Sequence, residues 1–112
     1  MTNAINAYRQ IIEQVLTEYA RVPYAHGEIE TETVFDRVND HYLLVSVGWM
    51  QDRRIHGDVV HVDIIGGKVW VQYDGTEDGI ANELVDAGVP RNKIVLGFQQ
   101  PEVRQYSEFA VA

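Results

Sequence analysis

Residues 61–77 read HVDIIGGKVWVQYDGTE. Two alternating runs flank a double glycine, and an acidic stretch follows. Gly66 and Gly67 suit a two-residue hairpin turn, because both central positions need positive φ. Ile65 then pairs with Lys68. The ladder sets Ile64 against Val69, Val62 against Val71 and Val60 against Tyr73, all apolar. The other face sets Asp63 against Trp70 and His61 against Gln72. A slip of one residue would mix the two sets, so the pattern specifies its own register.

Upstream, HYLLVSVGWM (41–50) is rich in β-branched and aromatic residues and predicts a strand. Leu43, Val45, Val47 and Trp49 share one face; Tyr42, Leu44, Ser46 and Gly48 share the other. QDRR (51–54) reads as a turn, and RIHGDVVHVDII (54–65) as the next strand, with Gly57 as its bulge or bend. GEIETETVFDRVND (27–40) alternates weakly and predicts an edge strand ending at the turn pair Asn39-Asp40. The segment from about Asn3 to Arg21 carries Ile5, Tyr8, Ile12, Val15 and Tyr19 at spacings of three and four, one apolar stripe of a helix. Thr2 or Asn3 suits its N-cap, and Pro23 and Gly27 close it. Downstream, Thr76 suits the cap of a helix from about Asp78 to Ala87, with Ile80, Ala81, Leu84 and Val85 buried and Gly88 ending it. KIVLGF (93–98) predicts a short last strand, and the apolar end FAVA predicts a tail that packs. The expected fold is one α+β domain over 1–112: an N-terminal helix, a four-stranded antiparallel meander, a second helix and a short final strand. Helices cover one sheet face. Ser46, His61, Asp63, Trp70 and Gln72 are expected on the other.

Composition narrows the function. A chain of 112 residues suits one domain with a real core. It has no cysteine, which excludes disulfides, thiolate metal sites and a Cys nucleophile. No unbroken apolar run exceeds four residues, too short for a membrane helix. The opening MTNAINAYRQ has neither a basic nor an apolar leader region, so a cytoplasmic location is expected. The net charge is −8, from 9 basic and 17 acidic side chains. A protein that neutralises phosphates needs a basic face, and Arg53, Arg54 and His56 are too small a patch for one. Direct DNA binding is therefore not expected, whereas an acidic surface suits a basic protein partner.

The chemistry-bearing residues are few. His61 and Asp63 stand two apart on a strand and point the same way, as a metal pair or an acid–base pair would. Asp74 or Glu77 could supply a third ligand. The same alternation is also what any half-solvated sheet shows. DGTEDG (74–79) lacks the calcium-loop pattern, and a turn plus helix start accounts for each of its residues. Lys68 and Lys93 lack the acid two residues upstream that a metal-dependent nuclease motif requires. No nucleophile elbow, P-loop or dinucleotide fingerprint occurs. Trp70, on the polar face, is either an interface anchor or is covered by the first helix or the tail.

The segments DHYLLVSVGW, VHVDIIGGKVWVQYDGTEDGIANELVDAGVPRNKIVLGF and RQYSEFAVA resemble the XisI family, the fdxN element excision controlling factor proteins. The resemblance runs from the AYRQIIEQVLTEYA helix to the final alanine; 21–35 is its least distinctive part. It implies an accessory role in programmed excision of a DNA element by a separate recombinase, together with a companion called XisH. It carries over no catalytic residue. The leading expectation is thus a non-enzymatic regulatory protein acting through a XisH-like partner, with no cofactor or metal. His61, Asp63, Trp70, Gln72, Asp74 and Glu77 are expected to contact that partner. The alternative is a small metal- or ligand-binding enzyme using the His61/Asp63 face. A twofold dimer is the default assembly for a small open sheet.

Overall fold

The computed structural model describes residues 2–23 and 28–112, with the side chains of Thr2 and Asn3 outside that description. The predicted N-cap at those two residues, and Gly27 as the closing residue, therefore lie outside the described residues. The elements run α1 (Thr2–Ala20), β1 (Glu28–Asp36), β2 (His41–Met50), β3 (Arg53–Ile65), β4 (Lys68–Asp74), α2 (Ile80–Asp86), a 3-10 turn, β5 (Ile94–Leu96) and α3 (Pro101–Arg104). The five strands lie side by side in chain order. The first four are antiparallel, and β5 lies parallel to β4. A parallel pair needs a crossover connection, and α2 supplies it. The α+β architecture matches the expectation, but α3 has no counterpart in the sequence reading.

The helix stripe behaves as its spacing predicts except at Tyr19, which is exposed. Ile12 and Leu16 are fully buried, with Tyr8 and Val15 beside them. They pack with Tyr42, Leu44, Val60, Val62, Val69 and Val71 from the sheet and with Ile80 and Leu84 of α2. Burying each large aliphatic side chain contributes about 1.5–3 kcal/mol. This layer of helices covers one face of the sheet. Ser46 alternates with Tyr42 and Leu44 and is buried with them, so it does not belong to the polar face.

The double-glycine turn forms as read, with φ of 57° and 79° at Gly66 and Gly67. Ile65–Lys68, Ile64–Val69, Asp63–Trp70 and Val62–Val71 pair as expected. The ladder then shifts. His61 faces Tyr73 and Val60 faces Asp74, so Gln72 is an extra residue on β4. A second shift lies between β2 and β3, where Leu44 faces Val60 but Val45 faces Asp58. Val59, not Gly57, is the bulged residue there, and its carbonyl accepts from Gly75 N at 2.7 Å. Each bulge reverses which side of the sheet the following side chains take. This is why Arg54, His56 and Asp58 share a face with His61 and Asp63 despite the change of parity.

Ion pairs fix α1 to the β1–β2 turn. Arg9 donates to both oxygens of Asp40, at 2.7 and 3.1 Å, and Tyr42 Oη donates to the same carboxylate at 2.8 Å. Asp40 holds positive φ, 56°, a conformation that Asp tolerates better than most residues. Arg37 grips Glu13 through two contacts of 2.7 Å. That pair is more exposed and contributes less. The hydrogen bond from Arg9 holds the Asp40 carboxyl below its usual range, against burial, and Tyr42 adds to the effect. Tyr42 itself is pushed well above its ordinary value, first by burial and then by its bond to Asp40.

Two consequences can be measured by thermal or urea unfolding. Asp40→Ala leaves Arg9 and the Tyr42 hydroxyl without their acceptor and costs about 1–3 kcal/mol at neutral pH. A carboxyl depressed in the folded state stabilises above its unfolded value, 3.8 for Asp, and that contribution fades as pH falls through the folded value. Wild type therefore loses its lead over Asp40→Asn on acidification. An unchanged gap down to the acid transition would contradict the assignment.

Candidate functional site

The face away from α1 and α2 is built by cross-strand rows. One row runs Asp36, His41, Asp63, Trp70 and Val95. The next runs Val34, Leu43, His61 and Tyr73. Beyond them, Val45 lies between Glu32 and Asp58, Val47 between Glu30 and His56, and Trp49 between Glu28 and Arg54. The result is a partly exposed apolar spine along β2, bordered by glutamates on β1.

At one end of this face lies a polar cluster centred on Asp63. Asp63 is only 6% exposed. Its Oδ1 meets His41 Nδ1 at 2.7 Å and His61 Nε2 at 2.8 Å. Gln72 Nε2 donates to Oδ2 at 3.2 Å. An ionised carboxylate only accepts, so both ring nitrogens carry their protons in this arrangement. Burial alone would raise the Asp63 carboxyl. Hydrogen bonds from His41, His61 and Gln72, with the charge of His61, outweigh it and hold the carboxyl below its usual range. The imidazole of His41 is raised in turn, first by its hydrogen bond to Asp63, then by that group's charge. The two imidazoles meet edge to face, with ring centroids 6.2 Å apart.

His41 is the member that the sequence reading missed. With an unbroken β2–β3 ladder it would face Val62; the extra residue Val59 moves it opposite Asp63. No local pattern marks that bulge. Gln72 reaches the carboxylate because it is itself the bulged residue of β4.

The remaining expected residues part company. Asp74 turns toward the helix side and closes the entry to α2. Its Oδ2 accepts from Ile80 N at 2.8 Å, and its Oδ1 accepts from Thr76 N and Oγ1. Asp74, not Thr76, thus serves the helix start, whose N-cap Gly79 offers no side chain. Glu77 lines a groove of about 380 Å³ with Tyr19, Val22, Thr31, Val59 and Asp78. That groove contains none of His41, His61 or Asp63.

Trp70 shares the face of Asp63, as the hairpin register requires, but it is capped. Arg104 lies over its ring, 5.2 Å from the centroid, in a cation–π contact. The same buried guanidinium donates to the carbonyls of Leu96 at 3.2 Å and Gln99 at 3.1 Å, with longer contacts to Gly97 and Val111. Gly97 permits this crossing. A Cβ there would stand 2.6 Å from Gln72 Oε1 and 3.2 Å from Trp70 Cε3. The tail continues as a parallel bridge of Ala110 beside Val95, with Ala110 N donating to Ile94 O at 2.8 Å. Lys68 Nζ adds a bond to the main-chain oxygen of Ala112. The exposed indole of this face is Trp49, at 47%, with Arg54 stacked on it. Among the described residues no helix is long and apolar enough to cross a membrane.

Fold and site together define a class: a small α+β protein whose two longer helices cover one side of a mostly antiparallel five-stranded sheet and leave much of the other side open around a His–Asp–His cluster. The chain belongs to the XisI family, whose model, described as XisI protein, matches residues 1–111. A XisI-like protein from Anabaena variabilis is similar in structure, with a TM-score of 0.85, 40% identity and 94% of this chain and 96% of that one covered. The fdxN element excision controlling factor XisI from the same organism gives a TM-score of 0.82 at 29% identity, over 97% of this chain and 99% of that one. No curated protein matches the chain.

The capping of Trp70 can be tested in a Trp49→Phe background, where Trp70 is the sole tryptophan and is excited selectively. Arg104→Met removes the hydrogen bonds that gather the tail, and a loss of about 1.5–3 kcal/mol is expected. Indole emission should shift to the red as water reaches the ring. Unchanged emission and stability would show that the guanidinium is not the clasp.

Proposed function

We propose that this chain is a non-catalytic regulator of programmed DNA element excision and that it acts by binding a XisH-like protein through its open sheet face. The observation that carries this reading is the end-to-end match to a family that includes a solved excision controlling factor. Three features support it. The charge of −8 disfavours direct neutralisation of DNA phosphates. No recognised catalytic motif occurs in the sequence. The open face joins a half-exposed apolar spine, Leu43, Val45, Val47 and Trp49, to a border of Glu28, Glu30 and Glu32, a surface complementary to a basic protein with an apolar centre.

The contact set shifts accordingly. Asp63, Gln72 and Asp74 are committed to internal partners, and Trp70 is capped. Trp49 takes the anchoring role that the sequence reading gave to Trp70. His61 stays at the margin of the face, beside Leu43 and Tyr73. A cytoplasmic location accompanies this reading.

Co-expression with a XisH-like protein, followed by co-purification at moderate salt, is expected to yield a complex. Trp49→Ala should weaken it by at least about tenfold, as loss of an aromatic anchor does. The chain alone should leave duplex DNA unshifted. Absence of a complex, or a salt-sensitive shift of DNA by the chain alone, would overturn the proposal.

A further inference from the structure

We propose that His41, His61 and Asp63 form a binding site for a divalent transition-metal ion, held by two imidazole nitrogens and one carboxylate oxygen. The inference stands apart from the partner-binding reading. It rests on the convergence of three donors from two strands. His41 Nδ1, His61 Nε2 and a carboxylate oxygen of Asp63 all lie within 4.8 Å of one another. A tetrahedral ion holds such donors about 2.0–2.2 Å away, which sets them roughly 3.3 Å from one another. The nitrogens now stand 2.7 and 2.8 Å from the shared oxygen, so opening the triangle by about half an ångström admits the ion. His41 is exposed at the start of β2 and can swing outward; Asp63 is held through its other oxygen by Gln72.

The surroundings fit a cation in three ways. The ion takes the place of the two protons now shared with Asp63; each ring, bound as neutral imidazole, then carries its single proton on the outward nitrogen, and any second proton is released to solvent. Gln72 holds the carboxylate's second oxygen and so orients the ligand, as outer partners do at metal sites. Asp36 faces His41 across the β1–β2 ladder and adds negative potential. Two imidazoles and a carboxylate suit zinc, iron, cobalt or nickel better than calcium or magnesium, which prefer oxygen donors. Because His41 and His61 are both solvent-accessible, at least one coordination position opens to water, or to an oxygen donor from another molecule.

Titration calorimetry with zinc chloride, on tag-free and chelator-treated protein, tests the site. One zinc per chain is expected, and cobalt(II) substitution should give the visible absorption of a low-coordinate nitrogen and oxygen site. His41→Ala and His61→Ala should each weaken zinc by at least about tenfold, while His56→Ala leaves it unchanged. His41 is exposed, so its variant should fold, which circular dichroism checks. Failure of the wild-type chain to bind zinc, cobalt or nickel overturns the proposal. So does binding that survives both His41→Ala and His61→Ala.

Discussion

The register of β3 is the constraint on which the rest depends. This strand is paired on both sides, and each ladder contains one extra residue, Val59 toward β2 and Gln72 toward β4. Without the first, Asp63 and His61 would turn into the core, and Val60 and Val62 would turn to water. Burying an unpaired carboxylate costs several kcal/mol, and exposing two valines costs more, so the irregular ladder is the low-energy one. The bulged backbone does not go unsatisfied, because Gly75 N donates to the Val59 carbonyl. That bond also fixes the loop that leads into α2.

The two sheet faces then divide the work. The covered face is apolar and closes the core, with the Asp40 ion pair tying α1 across the β1–β2 turn. The open face carries most of what can act outwardly: glutamates on β1, the spine on β2, and the histidines at its end. Asp63 belongs to both roles. It is buried enough to need its donors and placed so that two of them remain accessible to water. The groove beside α1 lies apart from this cluster.

Much of the fold was legible because its signals were local and agreed with one another. Gly66-Gly67 demanded positive φ, and the apolar pairs of β3 and β4 allowed one register near the turn. The helix stripe predicted the buried side of α1 at Tyr8, Ile12 and Val15, with Ile5 partly buried, whereas Tyr19 at its end is exposed. What escaped was non-local or irregular. Bulges leave no mark in alternation, so Val60 and His61 were set against the wrong partners, and His41 was not connected to Asp63. Asp74 looked like a surface acid because its acceptor role at Ile80 N depends on the bulge two residues earlier. Trp70 could not be settled from pattern, since the residue that caps it, Arg104, lies more than thirty positions away. Arginine in a polar tail gives no hint that it will be buried.

That capping arginine has a kinetic corollary. The hairpins joining β1 to β4 are made between neighbours in the chain and close short loops. The fifth strand and the tail gather only after a helical crossover has folded back, so their contacts come late. Segments of this kind also tend to open first in native fluctuations. The chain after β5, residues 97–112, is thus a hatch over one end of the sheet. When it lifts, the indole beneath and the Gln72 amide meet water together, while the long central hairpin stays shut.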